Sequence, residues 1–208
     1  MRAASGRALT VGADAHPLYR ALIDGVLASG AVPADDALLA LTGLDAAALT
    51  AARDELVAAD WVGRDAAGAL TALYPFSLVP TPVQVTLDGA TRDAMCAIDA
   101  LGVAPMLDRP TMIASSCVVC GAALALAVAP DGPHVVEPPT LGVVQRRTVG
   151  PAHLNRCGAI RFVCSPEHGA AWVAASGDPH DTFLPLDAAF ARARAIFADW
   201  YRAGRAGG

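Results

Sequence analysis

The chain contains no lysine, so its 15 basic side chains are all arginine. They are outnumbered by 20 acidic residues, which gives a formal net charge of −5 and a pI of about 5.4. No basic block is present that would displace counterions from a polyanion. The composition therefore predicts neither nucleic acid nor an anionic membrane as a partner.

Long hydrophobic runs are also missing. The longest apolar stretch, residues 122–129, has the length of a strand and is far too short to span a bilayer. The first sixteen residues, MRAASGRALTVGADAH, lack the apolar core of a signal peptide. These features predict a cytoplasmic protein, in which the five cysteines remain reduced thiols rather than disulfides.

Aromatic residues make up only 5% of the chain, but the hydrophobic fraction of 54% is enough for a real core. The residue pattern predicts an α+β protein with a flexible tail over residues 1–16. Three helices and a hairpin over residues 17–80 predict a winged helix-turn-helix-like domain. A proline-rich linker around 75–82 marks the end of this domain. Residues 81–208 predict a mixed α+β domain around a central sheet rich in antiparallel strands, and this domain contains all five cysteines, which makes it the candidate catalytic thiol domain.

A winged helix usually binds DNA, and the charge of its third helix tests that function. The helix predicted over residues 45–60 has Arg53 as its one cation against Asp45, Asp54, Glu55 and Asp60. Phosphate groups would repel so acidic a helix. A structural or lid role is therefore favoured over DNA binding.

Cys96 and Asp99 are the first candidate pair for chemistry. A helix predicted over residues 90–101, ended by Gly102 and Pro105, places them three residues apart on one face. A carboxyl buried among apolar neighbours has a raised pKa and can carry a proton near neutral pH. The alternatives are that Cys96 is a small buried hydrophobe and that Asp99 faces water.

Cys117 and Cys120 form a C-x-x-C motif for which three interpretations stay open. The motif is half of a zinc site, a redox pair, or two residues at the ends of strands. A zinc site would be completed by Cys157 together with Cys164 or His153. Cys164 ends an apolar strand, and burial is its default interpretation.

Cys157 lies in a polar turn, residues 155–158, where Arg156 favours the thiolate. If this distant segment meets the Cys96 helix, two soft sulfur donors lie beside one acid/base group. That set suits attack on a thiophilic metal centre better than it suits ordinary hydrolysis.

These candidate residues belong to a wider resemblance. From about residue 17 onward, the chain resembles the organomercurial lyase (alkylmercury lyase) family. The matching segments are residues 63–68, 74–82, 88–89 and 96–101, Ser116 and Cys117 with Gly121, and Cys157 with Phe162 and Trp172. Met95 departs from the family pattern, in which an aromatic residue commonly precedes the first catalytic cysteine.

The resemblance implies protonolysis of a carbon–mercury bond, which yields a hydrocarbon and Hg(II). Cys96 and Cys157 would be the mercury-binding thiols, Asp99 the proton shuttle, and Cys117 a buried structural cysteine. The implied partners are an organomercury substrate, low-molecular-weight thiols and a mercuric reductase, and no cofactor is needed. The alternatives are a soft-metal-sensing winged-helix regulator and a metal-binding homologue without turnover.

Overall fold

Short capping signals set the ends of the three N-terminal helices. The computed structural model describes residues 10–146, 152–199 and 201. The helices are α1 (Ala15–Ser29), α2 (Asp35–Thr42) and α3 (Ala46–Ala58). Asp45, at the predicted start of the third helix, caps it and accepts a hydrogen bond from the N–H of Ala48 at 2.8 Å. Gly30 and Gly43 end α1 and α2 in the left-handed conformation.

A small antiparallel sheet follows these helices. Its strands, in spatial order, are β1 (Val62–Arg64), β2 (Leu70–Leu73) and β3 (Phe76–Ser77). The first two form the predicted hairpin, whereas β3 lies in the stretch predicted as a linker. Phe76 is fully buried and also bridges to Ala94, so the stretch is held in place by core packing.

The central sheet is antiparallel throughout, as predicted. It contains β4 (Gln84–Leu87), β5 (Ala90–Asp93), β6 (Thr111–Ser116), β7 (Ala123–Ala129) and β8 (Gly132–Glu137). The spatial order is β5-β4-β6-β7-β8. The turn between β6 and β7 contains the C-x-x-C motif.

The helix predicted over residues 90–101 is wrong at both ends. Asp88 and Gly89 both have positive φ and form a tight hairpin turn, so residues 90–93 return along β4 as β5. The helix is instead α4 (Ala97–Leu107), and it continues through Gly102 and Pro105. Burial outweighs the backbone cost of these residues, and a Cβ at Gly102 would lie 2.2 Å from the ring of Phe197.

The remaining elements form a second three-stranded antiparallel sheet with its helices. They are β9 (Gly142–Gln145), α5 (Ala152–Asn155), a 3-10 turn (Cys157–Ala159), β10 (Arg161–Val163), α6 (Pro166–Ser176), β11 (Thr182–Pro185) and α7 (Leu186–Phe197). The strand order is β10-β9-β11. Ser165 caps α6, because its Oγ accepts a hydrogen bond from the N–H of His168 at 3.3 Å.

The N-terminal and C-terminal parts share one hydrophobic core. The ring of Trp61, next to β1, meets that of Phe197 on α7 edge to face at 6.1 Å, and both are fully buried. The hydroxyl of Tyr19 on α1 donates to the carbonyl of Tyr74 at 2.5 Å. The Tyr19 hydrogen bond holds α1 against the segment between β2 and β3.

The structure confirms a mixed α+β fold with antiparallel sheets. The winged-helix arrangement and the domain limits at residues 17 and 81 stay predictions. Residues 1–9 of the predicted tail, and residues 147–151, 200 and 202–208 of the predicted catalytic domain, lie outside the described residues. No helix within the described part of the chain is long and apolar enough to cross a membrane.

Candidate active site

Cys96 lies immediately before α4. It has extended backbone angles and stands at the N-cap, where its Sγ accepts from the N–H of Asp99 at 3.5 Å. The chain enters this cap from β5, and the N–H of Met95 donates to the carbonyl of Pro75 at 3.0 Å. Cys96 and Asp99 therefore meet through capping geometry rather than through a shared helix face.

Cys157 is brought to the same place by the 3-10 turn after α5. The N–H of Ile160 closes this turn onto the carbonyl of Cys157 at 3.1 Å. The carbonyl of Ile160 in turn accepts from the N–H of Ala97 at 3.2 Å, in the first turn of α4. This backbone hydrogen bond joins the two segments that carry the candidate thiols.

The two sulfurs and the carboxylate form one buried cluster. Cys96 Sγ lies 3.0 Å from Asp99 Oδ2, and Cys157 Sγ lies 3.7 Å from the same oxygen. The ligand atoms of all three lie within 4.8 Å of one another, and the residues are only 2%, 1% and 3% exposed. Asp99 therefore does not face water, and Cys96 is more than an isolated buried hydrophobe.

Burial keeps the Cys96 thiol protonated. Desolvation, the hydrogen bond with Cys157 and the negative charge of Asp99 all raise the pKa of Cys96 well above that of an ordinary thiol. Arg192 is the arginine that interacts electrostatically with Cys96. Burial and the charge of Arg156 lower the pKa of Arg192, whereas negative charge on Cys96 raises it. The cluster thus holds a thiol proton beside a carboxylate that can receive it.

This raised pKa predicts a loss of stability at alkaline pH. Above about 8.5 the Cys96 thiol ionises in the unfolded chain but stays protonated in the folded one, so the free energy of unfolding falls by about 1 kcal/mol per pH unit. Urea unfolding at about pH 9 and about pH 10.5 measures this slope. We expect a shallower slope for Cys96→Ser. Equal slopes in the two proteins would contradict the prediction.

Tyr74 is a site residue whose position the sequence does not reveal. Its hydroxyl lies 3.4 Å from Cys157 Sγ, and the residue is fully buried between β2 and β3. In the sequence it is only one residue of a segment shared with the lyase family. The signal that could have found it is a tyrosine in a tight turn whose hydroxyl requires a polar partner when buried.

The C-x-x-C motif belongs to a second cluster. The structure brings Cys117 and Cys120 together with Cys164 and His168, with ligand atoms within 4.8 Å of one another. Cys157 and His153 were therefore wrong as partners of this motif. Cys157 lies beside Asp99, and His153 Nδ1 lies 3.8 Å from Asp60. The missed residue, His168, could have been found from its spacing four residues after Cys164.

In the second cluster the pKa values of Cys117 and Cys164 shift in opposite directions. Burial opposes ionisation of Cys117, but hydrogen bonds from the backbone N–H groups of Cys120, Cys164 and Val119 lower its pKa to about 6. Burial and hydrogen bonds with Cys117 and Cys120 raise the pKa of Cys164 to about 11. At neutral pH these pKa values favour a thiolate at Cys117 and a protonated thiol at Cys164.

Comparison with known proteins identifies relatives of one family. The model of the family described as MerB, alkylmercury lyase, matches residues 76–198. An alkylmercury lyase of Staphylococcus epidermidis is 31% identical over 137 residues, which are 65% of this chain and 62% of that protein. One of Streptomyces lividans is 31% identical over 119 residues, 56% of this chain and 54% of that one. The chain thus spans less than two thirds of the length of these relatives.

A solved structure gives the same architecture. The crystal structure of the mercury-bound form of MerB2 aligns with a TM-score of 0.77 over 92% of this chain and 93% of that one. The two sequences are 19% identical, so this likeness shows the fold. The family model covers more than half of the sequence, including Cys96, Asp99 and Cys157, and the protein therefore belongs to the alkylmercury lyase family.

Proposed function

We propose that this protein cleaves the carbon–mercury bond of organomercurials by protonolysis, with Cys96, Asp99 and Cys157 as the catalytic residues. The observation that carries the proposal is the buried cluster itself, in which two thiols from distant segments meet one carboxylate oxygen at 3.0 and 3.7 Å. Hg(II) is a soft ion that prefers thiolate sulfur, and here it is part of the substrate.

The first step binds the substrate. The mercury of an organomercury–thiol adduct is attacked by Cys96, whose thiol already donates to Asp99 at 3.0 Å. As the sulfur–mercury bond forms, the thiol proton passes to Asp99. Cys157 then adds as a second sulfur donor, and its thiol proton leaves with the small thiol that carried the mercury in.

The second step breaks the carbon–mercury bond. Two thiolates raise the electron density at mercury, which makes the bound carbon basic enough to accept a proton. Asp99 delivers the proton that it received from Cys96, so that acid and base are one residue. Carbon leaves as a hydrocarbon, and Hg(II) remains bound by Cys96 and Cys157. Two thiol protons are lost in total, one to carbon and one to the departing thiol.

The reaction needs no organic or metal cofactor, because sulfur, carboxylate and substrate supply all its electrons and protons. Release of Hg(II) requires competing thiols, since two buried sulfurs bind the ion tightly. We propose that low-molecular-weight thiols of the cytoplasm remove it and that a mercuric reductase receives it. A reducing compartment would also keep Cys96 and Cys157 as free thiols.

We further propose that residues 17–80 form a winged-helix-type module that closes the site rather than binding DNA. The cations of its third helix and hairpin are already paired, since Arg53 contacts Asp35 at 2.5 Å and Arg64 contacts Asp54 at 3.0 Å. Tyr74, at the end of this module, reaches Cys157. These contacts favour the lyase over a DNA-binding metal sensor.

Tyr74→Phe tests whether the Tyr74 hydroxyl assists Cys157. The change removes a hydroxyl 3.4 Å from Cys157 Sγ and keeps the ring, so the core should remain intact. A hydrogen bond to a charged sulfur contributes about 1.5 kcal/mol, and we expect cleavage to slow about tenfold. Rates of hydrocarbon release at saturating substrate measure the effect. Wild-type rates in Tyr74→Phe would show that the hydroxyl does not assist Cys157.

The direct test of the proposed function is incubation of the protein with phenylmercury and excess thiol. Benzene release, followed by gas chromatography of the headspace over many turnovers, would support it. Stoichiometric binding of phenylmercury without benzene would instead indicate a metal-binding homologue. A reaction without protein gives the background rate.

A further inference from the structure

The second thiol cluster is formed by four residues from two distant parts of the chain. Cys117 follows β6 directly, and Cys120 lies in the turn that leads to β7. Cys164 follows β10, and His168 lies in the first turn of α6. None of these residues belongs to the cluster of Cys96, Asp99 and Cys157.

The donor atoms of this cluster all lie within 4.8 Å of one another, which is compatible with a tetrahedral ion site. Cys120 Sγ lies 3.8 Å from Cys164 Sγ, and His168 Nδ1 lies 3.5 Å from Cys117 Sγ and 3.0 Å from Cys164 Sγ. A zinc ion with Zn–S bonds of about 2.3 Å requires its ligands to be roughly 3.7 Å apart. The three distances given above, from 3.0 to 3.8 Å, already lie near this spacing.

The local backbone holds these donors in place. Gly121 follows the motif with a φ of 75°, and its N–H closes the turn onto the carbonyl of Cys117 at 2.8 Å. The N–H of Cys164 donates to Cys117 Sγ at 3.4 Å, which joins the two halves of the cluster. Ser165 caps α6 through His168, which fixes the first helical turn.

We propose that Cys117, Cys120, Cys164 and His168 bind one structural zinc ion. Three sulfurs and one imidazole nitrogen are a donor set that zinc prefers, and in a structural site the protein supplies all four ligands. Cys120 is exposed and Cys164 is half-buried, so an ion can reach the site from solvent. The carboxylate beside the other two thiols is absent from this set, which separates the two sites chemically.

The bound zinc would link the central sheet to the three-stranded sheet β10-β9-β11. The N–H of Val118 already donates to the carbonyl of Phe162 at 3.0 Å, so β6 and β10 approach each other at this point. The chain reaches Cys164 seven residues after Cys157. An ion bound there therefore anchors the segment that presents Cys157, without taking part in cleavage.

Metal analysis of the purified full-length chain tests the proposal. After reduction, loading with zinc alone and gel filtration, we expect about one zinc per chain by mass spectrometry of the metal. The Cys120→Ser/Cys164→Ser variant should lose this zinc. The matched control, Cys96→Ser/Cys157→Ser, should keep it. Cobalt in place of zinc should give the visible bands of a tetrahedral thiolate site in the control and not in the first variant.

Thermal unfolding gives a second measurement that does not depend on turnover. Zinc that binds only the folded chain must raise the melting temperature, and a strong chelator must lower it again. Circular dichroism shows whether each variant folds, and the exposed Cys120 allows Cys120→Ser alone where the double variant does not fold. The proposal is overturned if wild-type chain binds no zinc, if Cys120→Ser binds it as tightly, or if Cys120 and Cys164 prove to be a disulfide.

Discussion

Replacing either Cys96 or Cys157 by serine is expected to abolish release of benzene from phenylmercury, by about a thousandfold or more. Such a loss corresponds to about 4 kcal/mol of transition-state stabilisation. The physical reason is that a serine hydroxyl is a hard donor with little affinity for mercury, whereas the thiolate is soft. One remaining sulfur leaves the mercury too electron-poor to make its carbon basic. Headspace analysis under excess thiol measures the loss.

A control separates this loss from a general effect of removing sulfur. Met112 on β6 is half exposed and lies outside both thiol clusters, so Met112→Leu removes a soft sulfur without touching either site. We expect wild-type benzene release from it. Turnover near the wild-type rate in Cys96→Ser or Cys157→Ser would rule out the proposed mechanism, provided that circular dichroism shows both variants folded.

The pairing of Cys96 with Asp99 could be predicted from the sequence, although for a reason that differs from the real one. The spacing of three suggested one face of a helix, but Cys96 lies just before α4 as its N-cap. An N-cap side chain meets the residue three positions later, because it accepts that residue's N–H. Both geometries bring residues three apart together, and so the pair was correct while the helix limits were wrong.

Long-range contacts could not be predicted from local pattern. Nothing near Cys157 specifies that the 3-10 turn meets the start of α4, because this depends on the hydrogen bond from Ala97 to the carbonyl of Ile160. The contact of His168 with Cys117 spans 51 residues and is likewise not visible in a local pattern, although the spacing of His168 from Cys164 was a usable local signal. The thiols and the C-x-x-C motif could be identified from the sequence, because they are local features.

Burial explains why the sequence rules for helix ends gave the wrong end for α4. Gly102 and Pro105 normally end helices, yet α4 continues through both because it is buried along most of its length. Gly102 permits the ring of Phe197 to approach within a distance that any side chain would block. Packing of α4 against α7 therefore outweighs the intrinsic preference of these residues, which no window of sequence reveals.

Asp99→Asn is expected to separate binding from cleavage. The amide has the shape of the carboxylate, but it can neither accept the Cys96 proton nor deliver one to carbon. In Asp99→Asn the Cys96 proton can leave instead with the small thiol that carries phenylmercury, so phenylmercury should still bind. Loss of a general acid slows a reaction by about 10²–10⁴-fold, so benzene release should fall by this factor. Mass spectrometry of the intact protein should show a phenylmercury adduct that accumulates in Asp99→Asn, whereas wild type converts it to bound Hg(II).

Asp131→Asn is the matched control, because it makes the same chemical change at an exposed turn residue outside the cluster. It should show wild-type turnover and no adduct. If Asp99→Asn instead releases benzene at the wild-type rate, the proton reaches carbon from another donor, and the carboxylate serves only to hold the two thiols. If Asp99→Asn fails to bind phenylmercury, Asp99 is needed to deprotonate Cys96 before the metal arrives. The adduct therefore reports which of the two proton transfers the carboxylate performs.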